Sequence, residues 1–452
     1  MRMPALFVAG ALSVLFAPWA VGAEDLMAVY RLAVDHDPKF ATAAAARDAT
    51  LEKIPQAKAG LLPTISAGGE LDYNHQKTTY SSPTQLGPAG SASGRAFNYL
   101  GNGLTLSITQ PVYHRETRIV LRQANDQVSQ ANTEYAAARQ DLMVRVAQRY
   151  FDILAAIDSL DTAQAQKEAV GRQLEQAKQR FAVGLIAITD VHEAQASYDL
   201  TVAQEIAAEN QVANAREALW QITETPPGTL ALLSENIPLV NPEPADIERW
   251  IDISVAQNLT LAATRLQAEN AREEIEVQRS SHYPRLDAVG SFKIQDANGG
   301  SLAGDTKNET NLIGLQLSVP LYQGGLVSSR VRQAASNYTQ ARDLLEQSRR
   351  ATMLAAHNAY LGVIAGISQV KALKQAVISN QSALQDTEAG YQVGTRTIVD
   401  VLNAQRLLFA AKRDYSRSRY DYVINTLLLK QAAGQLDDAD LQAVNAWLSG
   451  NR

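Results

Sequence analysis

Cysteine is absent from all 452 residues. Its absence excludes disulfides, thiolate metal sites, cysteine nucleophiles and a lipid-modified N-terminal cysteine. Aromatic residues are scarce at 6%, although hydrophobic residues reach 46%. That combination suits Ala-rich helices packed closely together better than one thick globular core. Positive charge is in no excess: the net charge is -6 and the pI about 5.6. A nucleic-acid binder would need a basic face, and nothing here supplies one. Proline is missing over long spans. From Glu116 to Phe181 there is none, and Gly171 is the single glycine; from Leu326 to Ala389 there is none, with only Gly362 and Gly366; after Pro320 there is none at all. Proline costs a helix interior about 3 kcal/mol, so these spans permit unbroken helix. Long hydrophobic runs are lacking as well. Beyond the N-terminus no segment is expected to offer the roughly 18 apolar residues of a spanning helix. A mature chain that crosses a membrane must then use strands.

The N-terminus does carry one apolar run. "MRMPALFVAGALSVLFAPWAVGA" has a basic Arg2, an apolar stretch broken by Pro18, and the small-residue end Val21-Gly22-Ala23. These features predict a secretory signal peptide over 1–23, cleaved before Glu24, and an exported protein.

Within the proline-free spans, Val120, Ala124, Val128, Ala131, Tyr135, Ala138, Leu142, Val146, Tyr150, Ile153, Ile157 and Leu160 recur at threes and fours. The stripe predicts a coiled-coil-like rod of roughly 100 Å at 1.5 Å per residue. Shorter helices are predicted over 185–224 and 395–433, and others near 25–59 and 246–281. Pro238, Pro242 and Pro244 mark a linker. Four segments change period from helical to alternating: "TISAGGELDY", "LTLSITQPV", "LDAVGSFKIQ" and "IGLQLSVPL". Each predicts a strand of about 10 residues, the length of a tilted membrane strand. Tyr73, Tyr113, Tyr283 and Tyr322 are placed near strand ends, as in an aromatic girdle, and 74–102 and 296–310 are predicted as long polar loops.

The chain also repeats itself. "RFAVGLIAITDVHEAQ" at 180–195 recurs as "GYQVGTRTIVDVLNAQ" at 390–405. Phe181 matches Tyr391, Gly184 matches Gly394 and Asp190 matches Asp400, each 210 residues apart. Pro63 and Pro284 open strands, while Pro111 and Pro320 close them. The reading is a duplication: a first repeat at 24–225, a linker at 226–245, a second repeat at 246–434 and a C-terminal segment at 435–452. Each half runs helix, strand, loop, strand, long helix, shorter helix. Four strands cannot close a membrane barrel, so several copies must share one.

The duplicated plan, "PLYQGG" at 320–325, "QAQKEA" at 164–169, "FAVGLIAITDV" and "GYQVGTRTIVDVL" resemble the TolC family of outer-membrane export ducts, the outer membrane factors of Gram-negative bacteria. The resemblance covers nearly the whole mature chain. It implies a mostly α fold with membrane β. Three chains would build one 12-stranded outer-membrane β-barrel, four strands each, continued by a long periplasmic α-helical barrel that tapers shut. A mixed belt would draw on the linker and the tail. The duct would dock through a periplasmic adaptor (membrane fusion) protein on an inner-membrane ABC exporter or proton-driven efflux pump. It would pass proteins (type I secretion), drugs or other small molecules. The pump supplies the energy, so no enzyme activity and no cofactor are implied.

The resemblance also assigns site residues. Inter-coil links that hold the tip shut would join Tyr391 and Arg396 to Thr189 and Asp190; the planar guanidinium fork suits a carboxylate. Asp400 would face the pore constriction. Asn403 stands where the family pattern has a second aspartate, so three carboxylates would remain instead of six, with a weaker field for cations. From the residues themselves, Thr397-Ile398-Val399-Asp400 fits a capping box equally well, and both readings of Asp400 stay open. Gly184 and Gly394 read as the turns that break the rods into hairpins.

Other chemistry finds no support. The six histidines have no metal-ligand spacing, "DANGGSLAGD" lacks the ligand pattern of a calcium loop, and no nucleophile motif or phosphate loop occurs. The basic run at 412–422 reads as a helix face that Asp414 and Asp421 partly neutralise. Two other classes compete with the duct. A soluble periplasmic coiled-coil adaptor or scaffold would make the four strands ordinary hairpins. A passive uptake porin would have no use for long rods.

Overall fold

The computed structural model describes residues 23–78, 95–301 and 304–449. The apolar N-terminal run lies outside them except for Ala23, and so does the middle of the first polar loop. In chain order the elements are α1 (Leu26–His36), α2 (Pro38–Leu51), α3 (Lys53–Ala59), β1 (Thr64–Thr78), β2 (Arg95–Tyr113), α4 (Arg115–Ala182), α5 (Ile188–Thr223) and β3 (Leu232–Leu233). They continue as α6 (Ile247–Gln257), α7 (Leu259–Ser280), β4 (Arg285–Ser301), β5 (Gly304–Ser318), α8 (Leu326–Gln392), α9 (Ile398–Ala432), α10 (Asp438–Asn445) and β6 (Leu448–Ser449). The contacts divide into two units. One takes residues up to 41, 139–250 and 356 onward; the other takes 42–138 and 251–355.

The second unit holds a four-stranded antiparallel sheet in the order β1-β2-β4-β5. The register aligns the apolar positions of all four strands. Ile65 pairs with Ile108, and Ile108 with Gly290, which pairs with Ile313. Ala67, Leu106 and Phe292 form a second row, and Leu286 faces Leu317 in a third. Ser66, Ser107, Ser291 and Gln316 lie on the other face. In water an amphipathic sheet covers its apolar face and leaves the polar one open. On β2 the arrangement is inverted. Along β2 the apolar Leu104, Leu106 and Ile108 are exposed, whereas the intervening Thr105, Ser107 and Thr109 are half-buried. Ile313 is 96% exposed on β5, an edge strand.

Three expectations are corrected. The strands run 15, 19, 17 and 15 residues, well beyond 10. They absorb most of the predicted loops: Ala297 pairs with Thr306 and Ser301 with Gly304, so 296–301 and 304–310 are strand, and 74–78 and 95–102 are strand as well. Backbone pairing with a neighbouring strand overrides the weak strand preference of Gly, Asn and Asp there. Tyr73 consequently sits inside β1, opposite Leu100, and not at its end. Third, α8 does contain an 18-residue window long and apolar enough to cross a membrane by length and composition, with mean hydropathy 1.3 and only 22% of the window buried.

The helices follow their local signals. Asp25 caps α1 by accepting from Ala28 N–H at 2.7 Å. Asp37 accepts from Phe40 N–H at 2.9 Å, and Pro38 occupies the first position of α2, where a missing N–H costs nothing. Burial opposes the Asp37 charge, but the Arg145 fork (2.6 and 3.2 Å) and the Phe40 amide outweigh it and hold the carboxyl below its ordinary range. The α4 rod is unbroken over 68 residues, with Ala124, Ala131, Leu142, Val146, Tyr150 and Ile153 buried on the predicted stripe. The N-terminal segment, the linker and the tail meet in the first unit. Glu24 bridges Leu230, β3 pairs with β6, and Asn445 bonds both Met27 N–H and Asp25. The Tyr150 hydroxyl donates to the Ala231 carbonyl at 2.8 Å, and burial pushes its pKa up.

Candidate functional site

The repeated phrase forms two hairpin turns, between α4 and α5 and between α8 and α9. Both long helices end in the same way. Gly184 N–H donates to the Phe181 carbonyl (2.9 Å) and Leu185 N–H to that of Arg180 (2.9 Å). Gly394 N–H donates to the Tyr391 carbonyl (3.2 Å) and Thr395 N–H to that of Gly390 (2.8 Å). These paired bonds satisfy the last carbonyls of each rod and require a left-handed residue after the helix. Gly184 and Gly394 supply it, with φ of +77° and +81°. The matched glycines therefore have a common cause in turn geometry.

The helices that leave the turns start differently. At α9 the Thr397 hydroxyl accepts from Asp400 N–H (3.2 Å), and the Asp400 carboxylate accepts from Thr397 N–H (2.9 Å) and from its hydroxyl (2.9 Å). This is a complete capping box. The Thr397 backbone and side-chain bonds, joined by the field of Arg396, lower the Asp400 pKa from its ordinary value. At α5 the matching cap position is Ala187, which has no side chain to offer. Asp190 N–H reaches only the Ala187 carbonyl, at 3.2 Å. Among the described residues the Asp190 carboxylate has no hydrogen bond or ion pair.

The two turns lie side by side. Tyr391, Leu384, Ile398, Val401 and Leu408 form one buried cluster; Leu174, Ala177 and Ala194 form another. Leu402 packs against both. Tyr391 is 8% exposed, and its buried hydroxyl has no partner among the described residues. The Arg180 guanidinium sits over its ring, 4.6 Å from the centroid. Arg396 is exposed, its stem lying across Gly390, where an added Cβ would come within 2.7 Å of the Arg396 Cγ. Thr189 and Asn403 are exposed, while Asp190 and Asp400 are half-buried.

The fold thus brings the named residues to one pair of turns. Within a single chain it does not bond Tyr391 or Arg396 to Thr189 or Asp190, among the described residues. Sequence reasoning missed Arg180, Leu402 and Gly390. Leu402 carries no sequence signal. Gly390 carried a faint one, since a glycine six residues before an arginine on a tight turn leaves room for its stem.

Away from the turns, a groove of about 760 Å³ in the first unit runs beside β3. Asp158, Asp161, Lys374, Lys412 and Tyr415 are among its walls. No group of three or more residues suited to hold a metal occurs among the described residues.

The outer membrane efflux protein family model matches residues 29–224 and 250–435. The outer membrane protein TolC of Vibrio cholerae is 39% identical over 446 residues, covering 98% of each chain. The alkaline protease secretion protein AprF of Pseudomonas aeruginosa is 30% identical over 424 residues, covering 93% of this chain and 87% of that one. In fold, the chain is similar to the CmeC outer membrane channel of Campylobacter jejuni, with a TM-score of 0.75, 16% identity and coverage of 99% and 98%. The chain belongs to the outer membrane efflux protein family and shares its fold with solved outer-membrane channels.

Proposed function

We propose that three copies of this chain form an export channel-tunnel through the outer membrane and across the periplasm. The observation that carries this reading is the sheet's open apolar face, with Ile65, Leu71, Leu104, Leu106, Ile108, Ile313, Leu315 and Leu317 exposed, and, along β2, a polar face that is the less exposed of the two. Such a sheet is stable where lipid covers the apolar side and water the polar side. β1 and β5 are both edges, and a bare edge in lipid would leave backbone groups unpaired. Pairing β5 of one copy with β1 of the next removes every edge when a ring closes. Three copies give about 12 strands and an aqueous lumen; two would give a barrel filled by side chains. The apolar window of α8 then faces a neighbouring copy, not lipid. The matching element order of 24–225 and 246–434 supports a duplicated protomer, with 226–245 and 435–452 forming the belt.

The turns form the periplasmic entrance. Tyr391 and Arg396 link to Thr189 and Asp190, between coils or between copies, and hold it shut. Asp400 faces the constriction with its carboxylate already anchored by Thr397, and Asn403 gives no second charge. An adaptor and an inner-membrane ABC exporter or proton-driven pump open the entrance. The cargo class is protein or small molecule, in keeping with relatives named for secretion and with the family's description as efflux proteins.

Light scattering of the detergent-solubilised protein tests the assembly: a mass of three chains is expected, and a monomer refutes the reading. Replacing Tyr391 and Arg396 together is expected to raise single-channel conductance in planar bilayers; unchanged conductance counts against the gate.

A further inference from the structure

We propose that Arg180 is a further gate residue, which clasps the ring of Tyr391 and so ties the first hairpin to the second. The proposal rests on the gate reading above and adds a contact made inside each chain. Four observations carry it. First, the Arg180 guanidinium lies 4.6 Å from the centre of the Tyr391 ring, within the range of a cation held by an aromatic face. Second, among the described residues no carboxylate pairs with Arg180, so its charge is not already committed elsewhere. Third, the ring it covers is 8% exposed and belongs to the apolar cluster of the second hairpin. A desolvated ring strengthens such an attraction. Fourth, among the described residues the Tyr391 hydroxyl has no partner within its own chain, so inside the chain it is the face of the ring that is held.

The turn geometry makes the clasp directional. Arg180 and Tyr391 are both fixed by the bonds that end their rods, through the Arg180 carbonyl to Leu185 and the Tyr391 carbonyl to Gly394. In the matching register Arg180 corresponds to Gly390, and Tyr391 to Phe181. Gly390 has no side chain to reach back, and its empty place is taken by the stem of Arg396. Phe181 is 42% exposed, against 8% for Tyr391. The reciprocal contact therefore cannot form. One cation, from the first copy of the phrase, grips one ring, from the second. Opening the entrance by swinging one hairpin away from the other must break this contact along with any hydroxyl or carboxylate link.

The test is single-channel recording of the full-length protein in planar bilayers, on variants whose helicity by circular dichroism matches the parent. Arg180→Gln is expected to raise open-state occupancy several-fold, and Arg180→Lys to restore part of the closure. The Arg180→Gln effect should persist in a Tyr391→Phe background, which keeps the ring, and vanish in Tyr391→Leu, which does not. A merely structural role would give no such dependence on the ring. If Arg180→Gln leaves gating unchanged while Asp190→Asn raises occupancy, the gate stands and the clasp is wrong. If neither changes gating, the gate reading fails and the clasp with it. An equal Arg180→Gln effect in the Tyr391→Leu background also overturns the clasp.

Discussion

The two hairpins share a backbone and differ in what their aspartates do. Both rods end on a left-handed glycine with the same pair of bonds, so Gly184 and Gly394 are equivalent. Three residues further on the equivalence breaks. Thr397 draws Asp400 into a capping box, whereas Ala187 leaves Asp190 unengaged. A carboxylate whose oxygens already serve its own helix has less to give a partner. A carboxylate with no local partner is available for one on another coil. A single substitution at the cap position thus separates a self-satisfied start from an adhesive one, and a repeated phrase does not mean a repeated job.

The shared part of the comparison is the most costly to break. An added Cβ at Gly184 or Gly394 would meet nothing within 4 Å, so the expense of Gly→Ala lies in backbone conformation alone. Each substitution is expected to destabilise its hairpin by roughly 1–2 kcal/mol, equally at the two sites, as read by hydrogen exchange of the flanking turns. Unequal losses would mean the turns are not equivalent. Next in size is the cap: Thr397→Ala is expected to cost about 1 kcal/mol at the start of α9. That difference should depend on pH. The Asp400 pKa is depressed in the fold, so its stabilising bonds are fully present above the ordinary carboxylate pKa. They are lost as pH falls through the lower, folded value. The gap between parent and Thr397→Ala should narrow below about pH 4 and be constant from about pH 6 to 8. The smallest effect sharpens the comparison most. Ala187→Thr would give Asp190 a box of its own, firming the start of α5 by about 0.5 kcal/mol. It should loosen the closed entrance at the same time, because the recruited carboxylate is withdrawn from the inter-coil link proposed for it; firmer exchange with unchanged gating would detach Asp190 from the gate.

Much of this was legible in the sequence, because it follows from local signals. The absence of proline marked the rods, alternation marked four strands, and the glycine positions marked the turns. The capping box was readable as one of two options for Asp400, since Thr-x-x-Asp contains both of its halves. What escaped depends on partners distant in sequence. The strands outgrew their predicted ends because residues such as Asn98, Asn298 and Thr306 take their conformation from the neighbouring strand, not from their own preference. The pairing of β2 with β4 joins the two halves of the chain and leaves no trace in either. Arg180 carries no mark in the sequence beyond its place beside the turn; only packing puts Tyr391 beneath it.

The claim that the two aspartates have parted company is tested most directly by recording single-channel conductance of Asp190→Asn and Asp400→Asn side by side in planar bilayers. Asp190→Asn is expected to open the resting channel, with a clear rise in conductance. Asp400→Asn should leave the resting channel closed and alter only its preference for cations over anions. Equal opening by both variants, or opening by Asp400→Asn alone, would contradict it.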